Sequence, residues 1–298
     1  MAEIAGAYRP TGRWTRARRR RALKLAFTVG LAAVYFLPIY WMFKSSFQVE
    51  RDIRVTELNL GISSPTLANY ANALSNDRFT TWFYNSSVLA LSTMVVALIT
   101  ATLAAYSLAR LPNRVTRVLG RFFLMAYISP GVMVIIPLFV LLTNLGLQNT
   151  YQGLIITYSS FAVPFGTWLL IGYFRSLPVE LEDAALIDGC SRLGALWRVV
   201  LPLSTPAIVT VALFAFVLAW NDLLFAIVFT RTDAMQTLSS GLVSATSSVV
   251  GSDNPAPGTW GFGTIFAVCI LVAAPVIVVF VVLQNWLVSG LSAGAIKG

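Results

Sequence analysis

Five long apolar stretches of this chain carry no charged side chain, and they constrain its fold more than any other feature. Asp, Glu, Lys and Arg are absent from residues 25–43, 79–109, 122–174, 199–221 and 254–296. A helix of about 20 apolar residues is long enough to cross the hydrocarbon core of a bilayer. The chain is 57% hydrophobic and 11% charged, whereas soluble domains carry about 25% charged residues. These stretches therefore predict an integral membrane protein.

The pattern of these stretches predicts six membrane spans. The stretch at 122–174 is long enough for two spans, and the polar, turn-rich segment Asn144–Gly153 divides it. Because the apolar runs are continuous rather than alternating, they favour helices over the strands of a barrel. We therefore predict an all-α membrane protein. Its six transmembrane helices are expected at about 25–45, 81–108, 122–143, 153–174, 204–230 and 262–288.

The distribution of basic residues predicts that both termini are cytoplasmic. With the N-terminus inside, sixteen of the 21 Lys and Arg residues lie on the cytoplasmic side and five lie outside, as the positive-inside rule requires. Eight of the sixteen belong to the arm at 1–24, which we interpret as an anchor beside anionic lipid and not as a nucleic-acid-binding segment. Because no small-residue cleavage site follows Arg19–Arg21, we interpret the first apolar run as an uncleaved span.

This topology divides the chain into predicted parts. They are a basic cytoplasmic arm at 1–24, a first span at 25–45, an external segment at 46–80, a five-helix core at 81–290 that includes a cytoplasmic loop at 175–203, and a cytoplasmic tail at 291–298.

The sequence lacks the residues of several common catalytic and ligand sites. None of its three lysines ends a G-x-x-x-x-G-K-[ST] phosphate-binding loop, and neither G-x-S-x-G nor H-E-x-x-H occurs. There is no His, and Cys190 and Cys269 lie too far apart in the sequence to form a C-x-x-C pair. We therefore expect no catalytic activity, no bound cofactor and no metal site. Any uphill transport by this chain would take its energy from another subunit.

The cytoplasmic loop at 178–202 predicts two short helices joined by a turn. Pro178 suits the first position of a helix, and Gly189 suits the left-handed residue that ends it. Ser191 is a suitable N-cap for the second helix, and Pro202 is expected to end that helix. One apolar face is expected on the second helix, formed by Leu193, Leu196, Trp197 and Val200. By itself this pattern is more typical of a hairpin that only covers the inner face of a helix bundle.

The same loop carries a long motif. Asp183-Ala-Ala185 is followed after two residues by Asp188-Gly189, and after nine more by Val199-Val-Leu-Pro202. This spacing resembles the E-A-A, D-G, I-x-L-P signature of the inner-membrane permeases of binding-protein-dependent ABC importers. Asp183 stands in place of Glu and Val199 in place of Ile, while Glu182 keeps an additional acid beside the motif.

The resemblance extends over roughly residues 80–298. Leu145–Leu154, the Trp220-Asn-Asp222 element and the tail Val288–Gly298 are similar to segments of carbohydrate permeases of the maltose, glycerol-phosphate and trehalose type. The implied function is the permease subunit of an ATP-driven importer of a sugar or sugar phosphate, in the bacterial inner (plasma) membrane. The implied fold is the core of a type I (MetI-like) importer.

The resemblance also implies partners and coupling residues. The partners are a second homologous permease, two cytoplasmic ATPase subunits that hold ATP and Mg²⁺, and an external solute-binding protein. In this family the loop docks on the ATPase and transmits its closure to the membrane spans. The coupling residues that it implies here are Glu182, Asp183, Ala184, Ala185, Asp188, Gly189, Leu193, Leu201 and Pro202.

Asn221 and Asp222 form the most polar site within the predicted spans. A charge at the centre of a bilayer costs about 2.5–3.5 kcal/mol on insertion scales, so such a residue normally faces protein or water. The two residues either line a translocation path or form a structural pair with a neighbouring helix.

Three classes of function remain open on residues alone. An importer subunit needs an ATPase partner, whereas a self-contained secondary transporter or channel needs coupling groups inside its spans. Asp222 is the only acid within the predicted spans, which favours the importer. A membrane scaffold or receptor component would need no solute pathway.

The predicted orientation can be tested with the native Cys190, which lies in the loop at 178–202. We expect a membrane-impermeant maleimide to label Cys190 in inside-out vesicles and not in intact cells or right-side-out vesicles. A Cys190→Ser variant gives the background from Cys269, which lies in the sixth predicted span. Labelling of Cys190 from the outside would contradict the assignment of both termini to the cytoplasm.

Overall fold

The computed structural model describes residues 12–54, 59–111, 113–247, 249 and 260–295. The start of the basic arm, the segment Asn254–Gly258 and Lys297 lie outside these residues.

The described chain is built from helices, which confirms the predicted all-α class. The helices are α1 (Gly12–Ser46), α2 (Glu50–Ile53), α3 (Ala68–Leu74), α4 (Asp77–Arg110), α5 (Arg114–Ile128), α6 (Gly131–Asn144), α7 (Tyr151–Ser176), α8 (Glu180–Ile187), α9 (Arg192–Ala195), α10 (Leu201–Leu203), α11 (Thr205–Asn221), α12 (Leu224–Phe229), α13 (Leu238–Ser247) and α14 (Phe262–Ala295). A π-helical turn (Leu196–Val200) joins α9 to α10, and a 3₁₀ turn (Asp233–Met235) precedes α13.

Four of the described helices are individually long and apolar enough to cross a membrane: α1 from Arg18, α4, α7 and α14. The number rises to six only if two bent helix pairs each count as one span. The first pair is α5 with α6, bent by 106°, and the second is the helix Arg192–Leu203 with α11, bent by 84°. The first pair covers the predicted third span, whereas the second joins the end of the predicted loop at 175–203 to α11, which lies in the predicted fifth span.

The prediction of one continuous third helix at 122–143 is wrong, because the helix breaks at Ser129. Ser129 adopts an extended backbone (φ −67°, ψ 125°) and Pro130 follows it. A proline ring clashes with an α-helical conformation of the preceding residue, and its nitrogen has no hydrogen to donate. The chain therefore turns sharply between α5 and α6.

The prediction of one continuous fifth helix at 204–230 is also wrong. Helix α11 ends at Asn221, and Asp222 is extended (φ −65°, ψ 132°) before the short helix α12 begins. Pro202 does not end the second loop helix as expected, since Leu203 is still helical and the chain turns at Ser204.

The buried centre of the bundle lies where α4, α7 and α11 cross. Ala97, Ala162 and Ala215 meet there and are fully buried. Small side chains let helix backbones approach closely, which is how helices associate in a membrane. At Gly166 of α7 the approach is closer still, since a Cβ atom there would lie 2.7 Å from Cγ1 of Val211.

At the predicted external end of this bundle, two asparagine side chains hold the loop between α12 and α13 by hydrogen bonds. The Asn85 amide of α4 donates to the carbonyl oxygens of Ala234 and Gln236, each at 2.8 Å, and its oxygen accepts from the Tyr151 hydroxyl. Asn149, which has a positive φ of 58°, accepts from the backbone N–H of Arg231 at 2.8 Å. These bonds hold the loop between α12 and α13 against α4 and α7.

Helix α1 stands apart from this bundle. Its apolar side chains from Leu23 to Tyr40 are exposed in the isolated chain, and it packs along α14. An apolar, unburied helix of this length is suited to contact with lipid or with another subunit.

Two glycines of α7 provide a matched test of this packing. We expect Gly166→Ala to lower the melting temperature in detergent, because overpacking costs about 1–3 kcal/mol. Gly172 has open space around its Cβ position, so Gly172→Ala should stabilise by up to about 1 kcal/mol through helix propensity. Equal melting temperatures for the two variants would contradict the close crossing at Gly166.

Candidate functional site

The loop between α7 and α11 folds as two short helices joined by a turn. Helix α8 begins after Val179, so Pro178 lies just before the N-cap and not at the first helical position. Its first turn contains Glu180, Glu182 and Asp183, whose negative charges are stabilised by the N-terminal end of the helix dipole.

Gly189 makes the turn between the two helices, as the sequence predicts. Its φ is 88°, a conformation that costs a residue with a Cβ atom more than it costs glycine. The N–H of Gly189 donates to the carbonyl oxygen of Leu186 at 3.1 Å, and that of Cys190 donates to Ala185 at 3.0 Å. This pair of bonds is a Schellman motif, which ends α8. Ser191 then caps the second helix, its hydroxyl oxygen accepting from the N–H of Gly194 at 3.1 Å.

The predicted apolar face of the second helix is divided in the structure. Leu196 and Val200 are buried against α4, α7 and α11 in a cluster that includes Phe174. Leu193 and Trp197, in contrast, are 59% and 67% exposed. The apolar residues that the spacing predicts are therefore buried at two positions and exposed at the other two.

A π-helical turn lies between α9 and α10. The Leu201 N–H donates to the carbonyl oxygen of Leu196, five residues earlier, and Pro202 next in the chain has no N–H with which to continue α-helical bonding. Single π-helical turns of this kind often occur at functional sites.

An exposed surface remains on the loop, facing away from the bundle. It includes Ile187, which is 86% exposed, with Leu193 and Trp197. The polar and small members of the predicted coupling set that are also exposed are Asp183, Ala184, Asp188, Gly189 and Pro202, while Ala185 and Leu201 are half-buried. We refer to Asp183, Ala184, Ile187, Asp188, Leu193 and Trp197 as the loop surface.

Glu182 is separated from the other predicted coupling residues. It is 3% exposed, and its Oε2 lies 3.0 Å from Nε of Arg110, forming an ion pair without the alignment of a hydrogen bond. Its Oε1 accepts from the Tyr106 hydroxyl. Sequence reasoning missed Arg110 and Tyr106. The available signal was the position of Arg110, which is the first charge after the long apolar run of α4.

Asn221 and Asp222 lie at the end of α11 but have different surroundings. Asp222 is half-buried, and its Oδ2 accepts from the Tyr158 hydroxyl and the Ala226 N–H, both at 3.0 Å. From the position before the N-cap Leu223, the carboxylate therefore accepts an N–H of the first turn of α12 and ties that helix to α7. Asn221 is exposed and makes no side-chain hydrogen bond within the described part of the chain.

The described residues contain no cluster of three or more His, Cys, Asp or Glu side chains that could hold a metal ion. Cys190 and Cys269 are free thiols.

The sequence matches a known protein family and is similar to transport permeases of known systems. Residues 96–293 match the model of the family described as binding-protein-dependent transport system inner membrane component. A trehalose transport system permease protein, SugB of Mycobacterium tuberculosis, is 34% identical over 280 residues, which cover 94% of this chain and 99% of the relative. A sulfoquinovosyl glycerol transport system permease protein, SmoH of Agrobacterium fabrum, is 33% identical over 261 residues, which cover 88% of each chain.

A solved structure has the same fold. A chain of a bacterial ABC transporter involved in import of the acidic polysaccharide alginate superposes with a TM-score of 0.78 at 24% identity. The superposition covers 91% of this chain and 97% of that one.

The different surroundings of Asn221 and Asp222 lead to opposite expectations. We expect Asp222→Ala to lower the melting temperature, because loss of a helix cap costs about 1 kcal/mol. Tyr158→Phe should have a smaller effect in the same direction. Asn221→Ala should leave the melting temperature unchanged, since its exposed side chain has no partner in the described bundle to lose. If Asn221 lines the translocation path, the same substitution should reduce solute uptake.

The substitution Asp222→Asn separates the two interpretations of that residue, because it keeps an acceptor oxygen and removes the charge. Full uptake with only a loss of stability would show that Asp222 does not line the pathway. A loss of stability in Asn221→Ala as large as that in Asp222→Ala would contradict the assignment of Asn221.

Proposed function

The chain belongs to the family of binding-protein-dependent transport system inner membrane components, and on that premise we propose that it is the permease subunit of an ATP-driven carbohydrate importer. It forms half of the translocation pathway and performs no covalent chemistry. A sugar is the proposed cargo, because the relatives above are named for trehalose and for sulfoquinovosyl glycerol. A sugar phosphate is the second candidate and rests on the resemblance of the sequence alone.

The loop at 178–202 is the observation that carries this proposal. Its motif folds into two helices around Gly189 and leaves an exposed apolar surface on the far side of the buried cluster of Leu196 and Val200. Exposed groups as large as Trp197 and Ile187 are typical of a surface that a protein partner covers. The proposed partner is a cytoplasmic ATPase that binds ATP and Mg²⁺, of which the assembled transporter contains two copies.

The remaining parts of the proposal concern topology and assembly. We propose six spans, with each bent pair counted as one, and both termini in the cytoplasm, which the excess of basic residues supports. The unburied apolar side of α5 and α6, which includes Met125 and Ile136, is suited to a second, homologous permease that completes the pathway. An external solute-binding protein delivers the cargo, as the family description requires.

Alternating access is the proposed mechanism. Closure of the ATPase pair displaces the loop surface, and the loop moves α4, α7 and α11 because Leu196 and Val200 are packed among them. Since packed helices move as rigid bodies, the displacement changes which side of the membrane reaches the pathway near Asn221.

Co-purification of partners tests this function. We expect the wild-type chain, expressed with its neighbouring genes, to be recovered with a nucleotide-binding subunit. Asp183→Lys and Ile187→Asp should each release that subunit, because they alter exposed parts of the loop surface without disturbing its buried side. Gly189→Val should do the same by straining the turn, since its φ of 88° disfavours a branched side chain.

Val115→Asp serves as the matched control for Ile187→Asp. Val115 is 64% exposed at the start of α5, on the same predicted side of the membrane, and lies outside the loop surface. The control should keep the subunit. Recovery of the wild-type chain as a transporter without any nucleotide-binding partner would favour a secondary transporter and contradict the proposal.

A further inference from the structure

A buried ion pair lies between the loop at 178–202 and the spans. The Arg110 and Glu182 side chains are 8% and 4% exposed, and their Nε and Oε2 atoms lie 3.0 Å apart. Arg110 is the last residue of α4, and Glu182 lies in the first turn of α8. The ion pair therefore joins the end of a membrane-spanning helix directly to the first helix of the loop.

Further contacts extend this junction to four helices. The Arg110 Nη2 donates to the carbonyl oxygen of Leu177, the C-cap of α7, at 3.2 Å. The Tyr106 hydroxyl donates to Glu182 and also lies 3.2 Å from the carbonyl oxygen of Arg192, where α9 begins. The three side chains thus contact α4, α7, α8 and α9 at one point.

A buried ion pair is a poor means of adding stability, because desolvation of the two charges offsets most of their attraction. Apolar side chains of similar volume would hold the same elements together at least as well. An ion pair with directional neighbours differs from apolar packing in that it fixes one relative orientation. This ion pair and its hydrogen bonds are therefore suited to fixing the orientation of α8 relative to α4 and α7.

We propose that Arg110, Glu182 and Tyr106 form a positioning lock that fixes the orientation of α8 relative to α4 and α7. Displacement of the loop surface then moves the spans and is not absorbed by rotation of α8. The inference rests on the proposed function and assigns Glu182 a role different from docking on the ATPase.

The neighbouring acids Glu182 and Asp183 have different roles in this proposal: one orients α8, and the other contacts a partner. Consecutive residues of an α-helix point about 100° apart, so one carboxylate can face the bundle while the next faces outward. Glu182 is buried and Asp183 is exposed. Asp183 is therefore available to a partner, whereas Glu182 acts within the chain.

The test uses the complete transporter in proteoliposomes, with ATP hydrolysis and uptake measured in the same vesicles. The radiolabelled probes are trehalose, maltose and sulfoquinovosyl glycerol, and the one that the wild type imports is then used for all variants. We expect Glu182→Gln to keep the ATPase subunit and to raise the ATP hydrolysed per sugar imported by about fivefold or more, the range of a typical coupling energy.

A double variant separates positioning from stability. Arg110→Met combined with Glu182→Met replaces the ion pair with apolar groups of similar length, and such replacements are commonly neutral or stabilising. We expect this variant to assemble with a wild-type melting temperature and still to use excess ATP. Tyr106→Phe, which buries no new charge, should raise the ATP hydrolysed per sugar imported to a smaller extent. Arg110→Lys keeps the charge and should give the value nearest to the wild type.

Two outcomes would overturn the inference. One is a wild-type ratio of ATP to sugar in both the double variant and Tyr106→Phe. The other is a parallel fall of hydrolysis and uptake at constant ratio, which a purely structural role would produce. Failure of the proposed function is recognised separately, since the wild-type chain would then bind no ATPase subunit, or Asp183→Lys would retain it.

Discussion

The structure depends on the requirement that every backbone N–H and C=O group in the membrane finds a partner inside the protein. Helices meet most of this requirement within a single segment, and α1, α4, α7 and α14 each stay helical over at least 25 residues. Interruptions need a local substitute for the lost helical bonds. At Asp222 the carboxylate supplies it by accepting the N–H of Ala226. The residue that looks most like a ligand site in the sequence is therefore also a structural cap.

Backbone bonding also shapes the loop at 178–202, although that loop is predicted to lie in the cytoplasm. Its helices are short, so the Schellman turn at Gly189 and the Ser191 cap must satisfy a large share of their backbone groups. Because the turn is defined by these bonds, the loop has a fixed shape. The buried contacts of Leu196, Val200 and Glu182 then attach that shape to the bundle. A loop that is rigid and attached can transmit a displacement, whereas a flexible loop would absorb it.

The site has two sides with different chemistry. The side toward the bundle combines an apolar cluster with one buried ion pair, which together set position and orientation. The outer side presents Ile187, Leu193 and Trp197 among small and acidic residues. Apolar groups on this side lose contact with water only when a partner covers them. In the proposed function, binding of the partner and transmission of its movement are therefore assigned to separate residues.

The sequence by itself determined the helical class, the apolar segments and the motif with its turn at Gly189, because length, hydropathy and a positive-φ glycine are local properties. Local patterns also place an acid at Glu182 and apolar residues at Leu193 and Leu196. Only the tertiary structure decided which side each of them faces. Glu182 is buried because Arg110, 72 positions earlier in the sequence, lies beside it, and helical periodicity carries no information about such a neighbour. The span boundaries did not show the breaks at Ser129 and Asp222 for a related reason. Composition indicates whether a segment is apolar enough to enter a membrane. The direction of its backbone, in contrast, is set by individual prolines, caps and packing partners.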